Sequence, residues 1–344
     1  MTDDLPEVRK GHPYVMHDML RSVSSSIAKV SEYMKNFDAG IMKGNLNFTG
    51  NGTAFHSAEV GSYFLRETDR PSCCIQAYEL ENYGNADGTL VAVSHSGKTK
   101  STLDAMLKYK KKAVTIGITH DADSPISRES DYSVVLPGRD LSLCNTKAFF
   151  DNALAVMHMS SAYSAFNPGL DKIESDIVKV ISSCEGSAKE IISNMPTPEH
   201  MYVLGAGPNY YGAREAAQKI KEAAHIPAEG IELEEFNHGC TAVMTEKTAI
   251  VLLCNPTVDE RAMEIIRASR HVGSPTLTIN GEGDYNVDIM EPESENFSPL
   301  YNMGPLYFLA YYLALKVGVN PDLLHFEDPR YRAYDNEVFP PGTH

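Results

Sequence analysis

The sequence has 344 residues, 42% of them hydrophobic and 22% charged, with a formal net charge of −16. That is the composition of an ordinary globular chain of about two domains. The acidity excludes the large basic face that nucleic acid or an anionic membrane surface would need, although one site can still be locally positive for an anionic small molecule.

Residues 1–13 are polar and lack the apolar core of a secretion signal. No apolar run approaches the roughly 20 residues that cross a bilayer, so a cytoplasmic protein is expected. Residues 13–36 predict an amphipathic helix, with Met16, Met19, Leu20, Val23, Ile27, Val30 and Met34 near a 3.6-residue period. A short strand, Leu46 to Phe48, runs into Gly50-Asn51-Gly52-Thr53 and a helix to about Leu65. Further strands are predicted near Cys74 to Tyr78, Thr89 to Val93, Ala113 to Ile118 and Tyr132 to Leu136. The strand Thr89 to Val93 runs through Ser94–Thr99 into a helix to about Lys110, and a longer helix covers 145–165. Cys73, Cys74, Cys144, Cys184, Cys240 and Cys254 show no metal-ligand spacing and read as buried, reduced thiols. No metal set and no cofactor are expected.

The pattern then restarts. Residues 172–194 are helical, and Met201 to Leu204 is a strand entering Gly205-Ala206-Gly207-Pro208 and a helix. Ile231-Glu232-Leu233-Glu234 echoes Tyr78-Glu79-Leu80-Glu81, Thr248 to Leu253 echoes the strand before Ser94, and Thr276 to Ile279 echoes Thr115 to Ile118, all at a nearly constant offset. Alternating strands and helices imply βαβ units and parallel sheets, here in two doubly wound α/β halves.

Three stretches carry chemistry. Ser94-His95-Ser96-Gly97-Lys98-Thr99 follows a buried strand and opens a helix, where free N–H groups, three hydroxyls and a close-approach glycine suit a phosphate. It lacks the spacing of a nucleotide P-loop, and an ordinary Ser/Thr helix cap is its plain alternative. The Gly50/Gly52 and Gly205/Gly207 pairs lack the third glycine of a dinucleotide fingerprint and read as tight turns, with Thr53 beside the substrate. Lys219 and Glu222 are i, i+3 neighbours on a helix with an alanine-rich face, and His238 follows in an acidic segment; alone, these would be a surface ion pair and a loop residue.

Jointly these motifs resemble the double sugar isomerase (SIS) family, especially the isomerase half of glucosamine-6-phosphate synthase and the related amino-sugar-phosphate deaminases and fructosamine-6-phosphate deglycases. The matching stretches are Gly52-Thr53, Ser94 to Thr99, Asp123-Ser-Pro, Arg128 to Asp131, Asn145-Thr-Lys-Ala-Phe149, Lys219 to Glu222, Ala228-Glu229, Glu235 to Gly239 and a late helix, Gly304 to Val317. The resemblance implies two tandem flavodoxin-like SIS domains: 1–40 an N-terminal helical segment, 41–170 the phosphate-binding domain, 171–325 the domain of Glu222 and His238, and 326–344 a tail serving as lid. It implies that Ser94, Ser96 and Thr99 bind a sugar phosphate, with His95 contributing backbone. Glu222 would move a proton between C1 and C2, Lys219 would hold a hydroxyl or enediol oxygen, and His238 from a neighbouring subunit would open the ring, in a homodimer with composite sites. Gly52, Asn145 and Tyr334 are further substrate contacts on this reading.

Three positions depart from the synthase pattern. Tyr334 stands where a tail lysine would form a Schiff base, Ala54 replaces a serine, and Cys240 replaces a proline. With no glutaminase domain ahead of it, a glutamine-dependent synthase is not expected. The expectation is an enzyme on an amine-bearing hexose 6-phosphate, either a deaminase or a deglycase working through an enediol or enamine. A plain aldose–ketose isomerase and a non-catalytic sugar-phosphate sensor are the alternatives.

Overall fold

The computed structural model describes residues 8–167 and 169–339. They divide into two compact units, one made of Val8, Ser22–Glu174 and 325–339, the other of Arg9–Arg21 and Ser175–Leu324. Helix α1 (Val15–Met34) takes residues from both. Its apolar stripe is buried except for the partly exposed Met19, and the Asp322 carboxylate accepts the N–H groups of Val15 and Met16 at 2.7 and 2.9 Å, supplying a cap that the local sequence lacks.

In the first unit, β1 (Leu46–Gly50), β2 (Ser72–Gln76), β3 (Gly88–Val93), β4 (Ala113–Thr119) and β5 (Tyr132–Val135) form one parallel sheet in the order β2-β1-β3-β4-β5. Helices α2 (Gly52–Ser62), α3 (Ala77–Asn82), α4 (Lys100–Tyr109), α5 (Pro125–Glu129) and α6 (Thr146–Ser164) connect and cover it. Every residue of β1 is buried, and so is β3 beyond Gly88, which is why both read as unbroken apolar runs rather than alternating ones.

Helix α7 (Leu170–Asn194) leads into the second unit. There β6 (His200–Gly205), β7 (Ala228–Glu232), β8 (Thr248–Leu253), β9 (Thr276–Ile279) and β10 (Tyr285–Val287) form a parallel sheet in the order β7-β6-β8-β9-β10. Its helices are α8 (Pro208–Ala224), α9 (Asp259–Val272) and α10 (Ser298–Lys316). Both sheets thus have the flavodoxin-like order, and each reverses direction between its first and third strands. Such a reversal opens a crevice at the strand carboxyl ends, where ligands of this architecture bind. Among the described residues no helix is long and apolar enough to cross a membrane.

The structure corrects several expectations. The second strand ends at Gln76, so Tyr78 lies in helix α3, whereas Ile231 lies in strand β7; the echo between those two stretches is not a structural equivalence. Ala77 and Leu80 are the buried pair in α3, a helical spacing. Cys73 is exposed and Cys74 and Cys240 are partly so, which leaves only Cys144, Cys184 and Cys254 as buried thiols; all six are free. The tail contains α11 (Pro329–Val338), capped by Asp328, which accepts the Arg330 N–H at 2.8 Å. None of its residues is buried, so the helix follows from its cap and its N1 proline rather than from an apolar face. The end of the expected lid, residues 340–344, lies outside the described residues.

Candidate active site

In the first unit the switch point lies between β1 and β3, and the Ser94–Thr99 loop leaves the end of β3 there. The loop is tightly held. Ser94 Oγ and Thr99 Oγ1 are 3.0 Å apart, Ser94 Oγ accepts the Gly97 N–H at 3.1 Å, and Ser96 Oγ accepts the Lys98 N–H at 3.2 Å. Gly97 has φ +64°, and a Cβ there would meet Ser124 Oγ at 2.0 Å, so only glycine fits the turn. Thr99 is the N-cap of α4 but makes no side-chain cap bond, leaving the hydroxyls grouped beside a helix start. Asn51, in the loop after β1, donates to Ser101 Oγ and Thr102 Oγ1 at 2.8 and 3.0 Å and so ties that loop to the first turn of α4.

The remaining first-unit candidates fall on the same architecture. Gly52 (φ +52°) begins α2, and the buried Thr53 follows it. Asn145 caps α6 from a left-handed conformation, with its amide donating to Leu143 O at 3.2 Å. His95 points its ring away from the hydroxyls, with Nε2 3.2 Å from Asp140 O. Tyr334 is exposed on α11.

In the second unit, Gly207 caps α8, with Pro208 at its first turn. Lys219 is 1% exposed and lies between two carboxylates of its own helix: Glu222 Oε2 at 2.6 Å and the fully buried Glu215 Oε1 at 3.5 Å. Tyr307 of α10 donates to Glu215 at 2.8 Å, and Gln218 donates to Glu222 Oε1 at 2.7 Å. The surface ion pair that Lys219 and Glu222 suggest in isolation is instead the accessible end of a buried Glu–Lys–Glu row. Glu215, Gln218 and Tyr307 escaped the sequence reading; the only local signal was that Glu215 stands four residues before Lys219. His238 is exposed after a short 3₁₀ turn, with Nε2 3.8 Å from Glu234 Oε1, and is not among the partners of Glu222.

The second sheet's switch-point loop differs from the first. Asn255 and Thr257 donate to Glu295 at 2.9 and 3.0 Å, so a carboxylate of the chain already holds these two side-chain donors. A cavity of about 430 Å³ beside it is lined by Cys254, Asp259, Asn280, Asp288 and Glu291 among others and includes no residue expected at the active site. Among the described residues no group of three or more His, Cys, Asp or Glu is placed to hold a metal.

A sheet order repeated twice, with a hydroxyl loop on one copy and a buried lysine–carboxylate row on the other, makes this an α/β protein of two doubly wound, flavodoxin-like units. Residues 41–166 match the SIS domain, so this segment is a SIS domain. The chain is 26% identical over 331 residues to the glutamine–fructose-6-phosphate aminotransferase (isomerizing) of Sulfolobus acidocaldarius, covering 91% of this chain and 56% of that protein. The chain therefore spans about half the length of the curated relatives it matches. Two solved structures share the fold. Glucosamine-6-phosphate deaminase from Thermotoga maritima has a TM-score of 0.75 at 21% identity, covering 89% of this chain and 96% of that one. Tagatose-6-phosphate ketose/aldose isomerase from Escherichia coli has a TM-score of 0.79 at 14% identity, covering 93% and 97%.

Proposed function

We propose that the chain is a phosphosugar-processing enzyme that acts on an amine-bearing hexose 6-phosphate, as a deaminase/isomerase or a fructosamine-6-phosphate deglycase. The observation that carries this reading is the Glu215–Lys219–Glu222 row. A carboxylate with a quarter of its side chain exposed, backed by a buried ammonium, can accept a carbon-bound proton, and the cation favours oxyanion character at the neighbouring oxygen. Similarity to an aminotransferase that isomerises a hexose 6-phosphate supports the substrate class.

The roles follow residue by residue. Ser94, Ser96 and Thr99 take the phosphate, with the His95 backbone and Thr53 beside it, and Gly52 and Asn145 line the sugar. Glu222 moves the proton between C1 and C2 through an enediol or enamine, and Lys219 holds the developing oxyanion. His238 opens the ring, and its exposure suits a residue offered to a second copy in a homodimer. Mixing Glu222→Gln with His238→Ala protein should then restore some activity; none after demonstrated subunit exchange would remove the shared-site assignment. Tyr334 covers the sugar without a Schiff base, because a phenol has no amine to condense.

Ammonia or amine release from glucosamine 6-phosphate and from fructose 6-phosphate N-linked to an amino acid tests the reading. Release from either supports it. Interconversion of aldose and ketose phosphates with no amine released would make the chain a plain isomerase. Binding without turnover of any hexose 6-phosphate would make it a sensor.

A further inference from the structure

The first unit buries an ion pair that none of these roles uses. Lys147 and Asp151 lie one turn apart on α6 with side chains 5% and 0% exposed, and Nζ is 3.1 Å from Oδ2. Ser26 Oγ donates to the same carboxylate oxygen at 2.9 Å. Apolar residues of similar volume would be about as stabilising as such a pair, so stability alone does not account for it.

Its bonds lead to the hydroxyl loop. Lys147 Nζ donates to Gly138 O at 2.6 Å, and His120 Nδ1 meets the same carbonyl at 2.9 Å. A carbonyl only accepts, so His120 carries its proton on Nδ1. The backbone N–H of His120 donates to His95 O at 3.1 Å, Thr119 Oγ1 donates to that oxygen at 3.2 Å, and the two imidazole rings lie 4.5 Å apart. By the same reasoning the contact of His95 Nε2 with Asp140 O puts the His95 proton on Nε2. Asp140 is itself fixed, accepting from Ala148 N, Ser142 N and Ser142 Oγ. His95 stands between Ser94 and Ser96, so an unbroken path of bonds joins Lys147 to the hydroxyls.

We infer that Lys147 is a positioning residue for the Ser94–Thr99 loop: by holding Gly138 O and, through it, His120, it fixes the backbone of His95 and sets the hydroxyls for an anion. This rests on reading the loop as the phosphate seat. The charged and titratable groups facing His95 are Asp140, Arg139, Lys147 and His120; Lys147 and His95 likewise face His120. Burial holds both imidazoles below the ordinary histidine range, in keeping with a single proton on each ring.

The test uses the full chain as Lys147→Met, Lys147→Arg and the volume-keeping pair Lys147→Met/Asp151→Leu. Imidazole nitrogen NMR of ligand-free protein reads the tautomers, and calorimetry with inorganic phosphate and glucosamine 6-phosphate reads the seat. In the wild type His95 should be the Nε2–H form and His120 the Nδ1–H form. Lys147→Met and the double variant should mix the His120 tautomers and weaken anion binding roughly tenfold or more, the scale of one lost charge-assisted bond, with KM rising more than kcat falls. Lys147→Arg should restore both readouts in part. If Lys147→Met does not fold, the double variant, which leaves no unpaired charge, decides. Unchanged tautomers and unchanged affinity in either folded variant would overturn the role of Lys147. Wild-type protein that takes up neither ligand would overturn the phosphate reading itself, a separate failure.

Discussion

Lys219 Nζ lies 2.6 Å from Glu222 Oε2, with the lysine side chain 1% exposed and the glutamate 25%. The lysine is thus committed to the interior while its partner can reach a substrate. Removing the ammonium would take away the positive charge 3.5 Å from the fully buried Glu215, which also accepts from Tyr307. Lys219→Met should therefore cost about 3–5 kcal/mol, the usual penalty for an uncompensated buried charge. Urea unfolding measures this, and a loss under 1 kcal/mol would mean that the row is already neutral.

The hydroxyl loop depends on Gly97. Its positive φ and the 2.0 Å approach of an added Cβ to Ser124 Oγ leave no room for alanine. Gly97→Ala should weaken binding of hexose 6-phosphates while leaving the unphosphorylated sugars, bound weakly or not at all, unaffected. Equal loss for both kinds of sugar would place the loop away from the phosphate.

Acid should act on the same unit in two opposing ways. Burial lowers the pKa of His95 and His120, so the unfolded chain takes up protons that the folded loop refuses. Their contribution is complete above about pH 6.5 and fades as pH falls below it. Burial pushes Asp151 from 3.8 up to about 6, so this carboxyl favours the folded state as pH falls between those values. Asp151→Asn removes only the second effect. From pH 6.5 to 4, wild type should gain on the variant by about 2 kcal/mol, following a shift of about two pKa units. A wild-type-minus-variant difference that does not change with pH would show that Asp151 is not raised.

Much of this was legible in the sequence, and the failures have physical causes. Thr89–Val93 and Thr248–Leu253 announce themselves as strands because both faces are buried. Tyr285–Val287 does not, being three residues at a sheet edge. The Ser94–Thr99 loop could be read from hydroxyls after an apolar run. Glu215 could not, because it sits within an alanine-rich stripe and takes its meaning from Tyr307 on another helix. Lys147 likewise gains its connections from Gly138 and Ser26.

The tail offers a clean separation of stability from activity. No residue of α11 is buried, and His325 stacks on Tyr331 with ring centroids 4.4 Å apart. Deleting 329–344 should leave the unfolding midpoint nearly unchanged and lower turnover sharply, as loss of a lid does. Borohydride with a ketose substrate should trap no sugar on the tail. Full activity after truncation would remove the lid.

The central claim is that Glu222 moves a carbon-bound proton of a hexose 6-phosphate, and deuterium exchange measures that step directly. Protein in deuterated buffer would be given glucosamine 6-phosphate, a fructose 6-phosphate N-linked to an amino acid, and fructose 6-phosphate, with the C1 and C2 hydrogens followed by NMR. The account predicts exchange at C2 of an aldose or C1 of a ketose in at least one of them, slowed about 10²–10⁴-fold by Glu222→Gln. Exchange at the wild-type rate in that variant, or none with any of the three sugars, would contradict it.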